Sequence, residues 1–135
     1  MTEPRWLTEA QIIRMHGEQL AIFGGPAGLR DAGALASAVG RPRNKWAYAN
    51  ADLAALAAAY AFGIARNHPF VDGNKRAAFL SMVVFLRKNG IAFSPPEPDS
   101  IAAMLALAAG ELEEEGLARW IRDNWPGSGG GKEPQ

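Results

Sequence analysis

Three observations predict an all-α fold. Alanine dominates the apolar residues and β-branched side chains are sparse, a balance that favours helices over strands. Apolar side chains recur at three- and four-residue spacing over segments long enough to be helices. Residues able to cap or stop a helix stand at the ends of those segments. With 135 residues, 48% hydrophobic and 21% charged, the chain suits one globular domain with a real core, expected over residues 1–125.

The elements follow in order. Thr8 and Gln11 match a capping box, with Leu7 before them as a staple. Ile12, Ile13, His16, Leu20 and Phe23 then share one side of a first helix, which Gly24-Gly25 ends. A lone histidine such as His16 reads as a packed residue. The glycines from Gly24 to Gly28 read as a tight turn, and no strand precedes them to make a phosphate-cradling loop. Asp31 caps a short second helix carrying Leu35 and Val39, closed by Gly40 and Pro42. Arg41 to Tyr48 reads as a solvated basic connection with Trp46 and Tyr48 pinned to the core; its functional alternative is a flap beside a phosphate site. Asn50 or Asp52 caps an alanine-rich third helix with Leu53, Leu56, Tyr60 and Ile64 in register, running to Asn67.

A fourth helix is expected from Asn74 to Asn89-Gly90. Its stretch Ala77–Leu86 is apolar almost all round, which predicts a central, buried position. Ser94-Pro95-Pro96-Glu97-Pro98 reads as a rigid non-helical connector, with a fifth helix starting at Asp99 or Ser100 and carrying Ile101, Met104, Leu105 and Leu107. Glu111–Glu115 reads as a solvated break before a last helix packed by Leu117, Trp120, Ile121 and Trp125. From Pro126 the chain turns to linker composition, and residues 126–135 are expected to be a disordered glycine-rich tail.

Composition also excludes function classes. Lys plus Arg equals Asp plus Glu at 14 each, so no global basic field argues for direct nucleic-acid binding. There is no cysteine for disulfides or a thiolate zinc site. No apolar run reaches the ~18 residues of a membrane span, and the first residues lack a signal-peptide core. A soluble cytoplasmic protein is the expectation.

The chemistry is concentrated in His68-Pro69-Phe70-Val71-Asp72-Gly73-Asn74-Lys75-Arg76. His68, as a histidine, suits a base for a hydroxyl proton. Asp72 is a hard oxygen ligand suited to a magnesium ion that also holds nucleotide phosphates. Gly73 permits positive φ and a close backbone approach. Lys75 and Arg76 occupy a first helical turn, where the dipole favours anions, so two cations there suit a polyanionic ligand. Phe70 is expected to point inward and hold the loop in shape. An Asp-Gly pair alone is commonly a mere turn, but the set together describes phosphoryl or nucleotidyl transfer. A zinc site from His68 and Asp72 is disfavoured in a chain with two histidines and no cysteine.

These nine residues resemble the signature of the Fic/Doc (Fido) family, His-x-Phe-x-Asp/Glu-Gly/Ala-Asn-x-Arg. Lys75 resembles the Doc branch, where Fic proteins have glycine, while Gly73 stands where Doc proteins often have alanine. Gly24-Gly25, Gly28-Leu29-Arg30-Asp31, Leu35, Ser37, Ala38 and Arg41-Pro42 are similar to the upstream half of Doc proteins. The resemblance implies a compact six-helix bundle using ATP and magnesium. It implies the toxin of a type II toxin–antitoxin pair, phosphorylating a threonine of elongation factor Tu to arrest translation. By the same resemblance His68 is the base, Asp72 the magnesium ligand, Gly73 and Asn74 the anion cradle, and Lys75 and Arg76 the phosphate holders. The Fic branch transfers AMP instead. No Ser/Thr-x-x-x-Glu-Gly/Asn inhibitory motif is found, since Glu115-Gly116 is preceded four positions earlier by Glu111, so restraint is expected from a separate antitoxin. An inactive module that only binds a partner is the third reading.

Overall fold

A computed structural model describes residues 2–127, which form six helices and no strand. They are α1 (Glu9–Phe23), α2 (Ala32–Ala49), α3 (Leu53–Asn67), α4 (Asn74–Lys88), α5 (Glu97–Ala108) and α6 (Glu114–Asp123). The expected all-α bundle is what forms. Most of the glycine-rich tail, residues 128–135, lies outside the described residues.

Local chemistry starts the helices. Thr8 and Gln11 make the reciprocal capping box, the Gln11 backbone N–H donating to the Thr8 hydroxyl at 3.1 Å and the Thr8 backbone N–H to the Gln11 side-chain Oε1 at 2.9 Å. Asp31 accepts from the Ala34 N–H, and Asp52 from the Ala55 N–H. Asn50 belongs to the preceding helix instead, closing α2 in the left-handed conformation at φ 50°.

Helix α2 departs from the expected short helix and loop. It runs unbroken through Pro42, so Arg41 to Tyr48 is helical. A proline inside a helix costs about 3 kcal/mol in lost hydrogen bonding and ring contact. Here packing offsets it, because Leu35, Ala38, Val39 and Pro42 form one buried stripe. The stripe meets α3 closely: a Cβ on Gly63 would lie 3.0 Å from both the Cα and the Cβ of Ala38. Trp46 packs against the core as expected, but Tyr48 is 88% exposed and pinned to nothing. Nor is this stretch a flap. Arg41 and Lys45 reach Glu114, the first residue of α6, at 2.5 Å and 3.2 Å. Glu114 is therefore a buried carboxylate between two cations, not part of a solvated break.

One other boundary moves, and the end of α4 falls at Asn89-Gly90 as expected. Helix α5 begins at Glu97, two residues before Asp99, because a proline in the first helical turn sacrifices no hydrogen bond. At the end of α4 the left-handed residue is Gly90, at φ 86°.

The bundle is built around the α3–α4 pair. Helix α3 packs against α2, α4, α5 and α6, and all its alanines except Ala55 are buried. Helix α4, buried along Ala77, Ala78, Ser81, Met82, Phe85 and Leu86, lies against α1, α3 and α5. The start of α1 sits by the end of α4, where Arg5 and Asn89 exchange hydrogen bonds, and its end sits by the start of α4. The two helices are thus antiparallel. The Tyr60 phenol ties α3 to the N-terminal segment, accepting from the Leu7 N–H at 2.9 Å and donating to its carbonyl at 3.4 Å.

Candidate functional site

The connection from α3 to α4 is six residues long and is shaped from three sides. His68 ends α3 in the left-handed region, at φ 50° and ψ 58°, its N–H bonded to the Ile64 carbonyl at 3.2 Å. That conformation costs a non-glycine residue about 1–2 kcal/mol, and Arg30 supports it. The Arg30 Nε donates to the His68 carbonyl at 2.6 Å and its Nη2 to the Asn67 carbonyl at 2.9 Å. A guanidinium at a helix C-terminus also opposes the dipole's negative end. The imidazole of His68 is left exposed.

The α1–α2 connection is sewn along the loop. The N–H groups of Arg30 and Asp31 donate to the Pro69 carbonyl at 2.7 and 3.0 Å, and the Val71 N–H donates to Gly28 at 3.1 Å. Leu29 and Phe70 form an isolated antiparallel bridge. From below, the Phe70 ring is buried and stacks on His16 with centroids 3.8 Å apart and planes within 8°. The His16 Nε2 lies 2.7 Å from the Asp72 carbonyl oxygen. A carbonyl only accepts, so this geometry assigns the proton to Nε2.

Asn74 closes the loop on itself. Its Oδ1 accepts from the Phe70 N–H and its Nδ2 donates to the Phe70 carbonyl, both at 3.0 Å. The amide is buried with both its oxygen and its nitrogen engaged by Phe70. Gly73 precedes it at φ 77°, and a Cβ there would stand 3.4 Å from the His16 Nε2. No side chain caps α4, so its first-turn N–H groups have no side-chain acceptor.

Four side chains with chemistry remain exposed: His68, Asp72, Lys75 and Arg76. The Asp72 carboxylate lies over the α1–α2 turn, where a Cβ on Gly25 would come within 2.7 Å of Oδ2. Gly25 has φ 117°, so that position favours glycine both for its backbone and for the space it leaves Asp72. Arg76 lies with its guanidinium 4.2 Å from the centroid of the Phe23 ring. Among the described residues no group of three His, Cys, Asp or Glu forms a metal cage. Asp72 is a lone carboxylate, which suits magnesium held jointly with phosphate oxygens and water. Clefts of about 480 and 450 Å³ lie elsewhere, by the N-terminal segment and between α1 and the end of α4. The chemistry-bearing side chains of the signature loop lie open at the surface.

Every sequence-predicted site residue therefore lies in one loop and one helical turn. His16, Phe23, Gly25 and Arg30 join them, residues whose part in the site sequence reasoning did not assign. The similarity of the glycine-rich connection to Doc proteins was the available signal for Gly25 and Arg30.

Known proteins match over the same parts. A model of the Fic/DOC family fits residues 6–86, from the entry to α1 through most of α4. The chain belongs to the Fic/DOC family. It is similar to the protein kinase doc of Escherichia phage P1, at 32% identity over 120 residues, covering 87% of this chain and 94% of that one. It is also similar to the toxin Doc of Mycolicibacterium smegmatis, at 44% identity over 71 residues, covering 51% of this chain and 55% of that one. The matched Fic/DOC span takes in the signature loop and all the residues that shape it, while α5 and α6 lie beyond it.

Proposed function

We propose that this protein transfers the γ-phosphate of ATP to a Ser/Thr hydroxyl of another protein, as the toxin of a type II toxin–antitoxin pair. The observation that carries the reading is the pair Lys75 and Arg76 on the uncapped first turn of α4, beside exposed His68 and Asp72. Two cations at a positive helix end are unfavourable alone and favourable under a triphosphate. Similarity to a relative named a protein kinase and to another named a toxin supports the same reading.

The bound nucleotide supplies an electrophilic phosphoryl group, with magnesium sharing its charge. The chain's own part is positioning. His68 takes the proton from the acceptor hydroxyl as its oxygen bonds to the γ-phosphorus, while the bond from that phosphorus to the β–γ bridging oxygen breaks and ADP leaves. Asp72 is the carboxylate available to magnesium. The N–H groups of Asn74, Lys75 and Arg76 face the phosphate oxygens, with the Lys75 and Arg76 side chains neutralising them. Lys75 fills the helix end that a glycine would leave open to inner phosphates, which favours γ- over α-phosphate transfer. A pose difference of only ~2.7 kcal/mol gives a hundredfold preference.

Elongation factor Tu is the acceptor we propose, on the family resemblance, with translation arrest as the result in the cytoplasm. Among the described residues no helix is long and apolar enough to cross a membrane. Restraint is assigned to a cognate antitoxin acting in trans, on the absence of an inhibitory motif in the sequence.

The test is mass spectrometry of elongation factor Tu after incubation with ATP labelled separately at the α and γ positions. Delivery of the γ label, lost ~10²–10⁴-fold in His68→Ala, is expected. Delivery of the α label makes the protein an AMP transferase. Nucleotide-independent binding of the acceptor with neither label delivered makes it a partner-binding module.

A further inference from the structure

We infer that Phe23 is a positioning residue for Arg76, holding its guanidinium ready for the phosphates; this rests on the phosphate-transfer reading above. Phe23 is the last residue of α1 and 59% exposed, an unfavourable place for a large aromatic with no partner. Its partner is Arg76, the guanidinium carbon standing 4.2 Å from the ring centroid.

The mode of contact matters. Of the other arginines over rings, Arg41 and Arg66 lie over Phe62 and also engage a carboxylate, Glu114 or Glu113, whereas Arg43 lies over Trp6, away from the signature loop, at the longer distance of 5.3 Å. Among the described residues Arg76 makes no such ion pair. Stacking occupies the flat face of a guanidinium and leaves the N–H donors of its edge free for two-point binding of an anion. A carboxylate partner would hold the side chain equally well but would compete with phosphate for those donors. The aromatic ring restrains without competing.

The restraint is also registered to the site. Helix α1 carries His16, which holds the Asp72 carbonyl, and it closes on Gly24, whose N–H donates to the Leu20 carbonyl at 2.7 Å. Gly25, two residues past Phe23, lies against the Asp72 carboxylate. One helix end thus sets Asp72 and Arg76 relative to each other.

The test compares wild type, Phe23→Leu and Phe23→Tyr by three measurements. In NMR spectra of the nucleotide-free protein, the Arg76 side-chain protons should show an upfield ring-current shift that is lost in Phe23→Leu and kept in Phe23→Tyr. In calorimetry with ATP and magnesium, Phe23→Leu should bind about two- to fivefold more weakly, the range of an exposed cation–π contact, and Phe23→Tyr should restore binding. In the background of Arg76→Ala, Phe23→Leu should have no further effect. No ring-current shift in the wild type, or equal nucleotide binding by Phe23→Leu and wild type, overturns the inference. A wild type that shows the shift but binds no nucleotide overturns the phosphate-transfer reading instead, and with it the purpose assigned to the stack. Thermal unfolding accompanies each variant, and a loss of nucleotide binding explained by lost folding counts against the inference.

Discussion

At the scale of single residues, the signature divides into groups that stand open at the surface and groups that build the platform beneath them. Asn74 shows why the division was not legible in the sequence. An amide beside two cations at a helix start suggests a ligand contact, yet both of its ends are spent on Phe70, four residues earlier. It is the clasp of the loop. Asn74→Ala strips partners from a buried N–H and a buried carbonyl at once, each worth about 1–3 kcal/mol when left unsatisfied. The melting temperature should fall by roughly 10 °C for a domain of this size. Asn74→Asp keeps the acceptor and loses the donor, so its fall should be smaller. Circular dichroism melts decide it: an unchanged midpoint for Asn74→Ala means the clasp carries no stability. His16 was hidden for another reason. Its partner is the carbonyl of Asp72, 56 positions away, and no local pattern encodes that pairing.

At the scale of elements, the starts of α1, α2 and α3 were readable, while the start of α5 and the end of α2 were not. Thr8, Asp31 and Asp52 cap where their short polar side chains predict, because capping is decided within three residues. The extent of α2 is decided by α3, which buries Pro42 and outweighs its local cost. Glu114 was misread in the same way, since Arg41 and Lys45 reach it from a helix more than 60 positions earlier. Asp52 combines both scales. It caps α3 and receives a forked contact from Arg122 of α6, at 3.1 Å from Nε and 3.0 Å from Nη2. The Arg122 guanidinium holds its carboxyl below the usual carboxylate range. A lowered pKa in the fold means stability that is present above the ordinary value of 3.8 and lost as pH falls through the lowered one. Asp52→Ala should cost about 1 kcal/mol at pH 7, mostly from the cap, because an exposed ion pair adds little. Urea unfolding at pH 7 and pH 3 should show the gap to wild type shrinking in acid. A gap that is constant or widens in acid overturns this account of Asp52.

At the scale of the whole molecule, Tyr60 joins the most enclosed helix to the segment before α1. Burial pushes its phenol up from 10.0 to about 12. The fold therefore keeps a proton that the unfolded chain releases, so stability falls as pH rises from about 10 to 12, by roughly 2–3 kcal/mol. Tyr60→Phe removes that slope but leaves the Leu7 N–H and carbonyl without their partner, so it should be less stable at pH 8 and lose its disadvantage near pH 12. Denaturation midpoints across that range are the measurement, and parallel curves for the two proteins exclude the assignment. The all-α architecture itself was legible, since it follows from periodicity along each helix. What could not be read was the sewing of the α1–α2 connection to the signature loop through Gly28, Arg30 and Asp31. That seam bears on the order in which a ribosome delivers the parts. Residues 16–31 emerge first, and the hydrogen bonds that tie them to the signature loop can close only once both segments are out. A fragment beginning after Asp31 would carry the whole motif without the partners that His16, Gly28, Arg30 and Asp31 give its loop, and a single peptide-bond cut between Gly24 and Gly28 would break the connection that carries them while removing no atom of the signature.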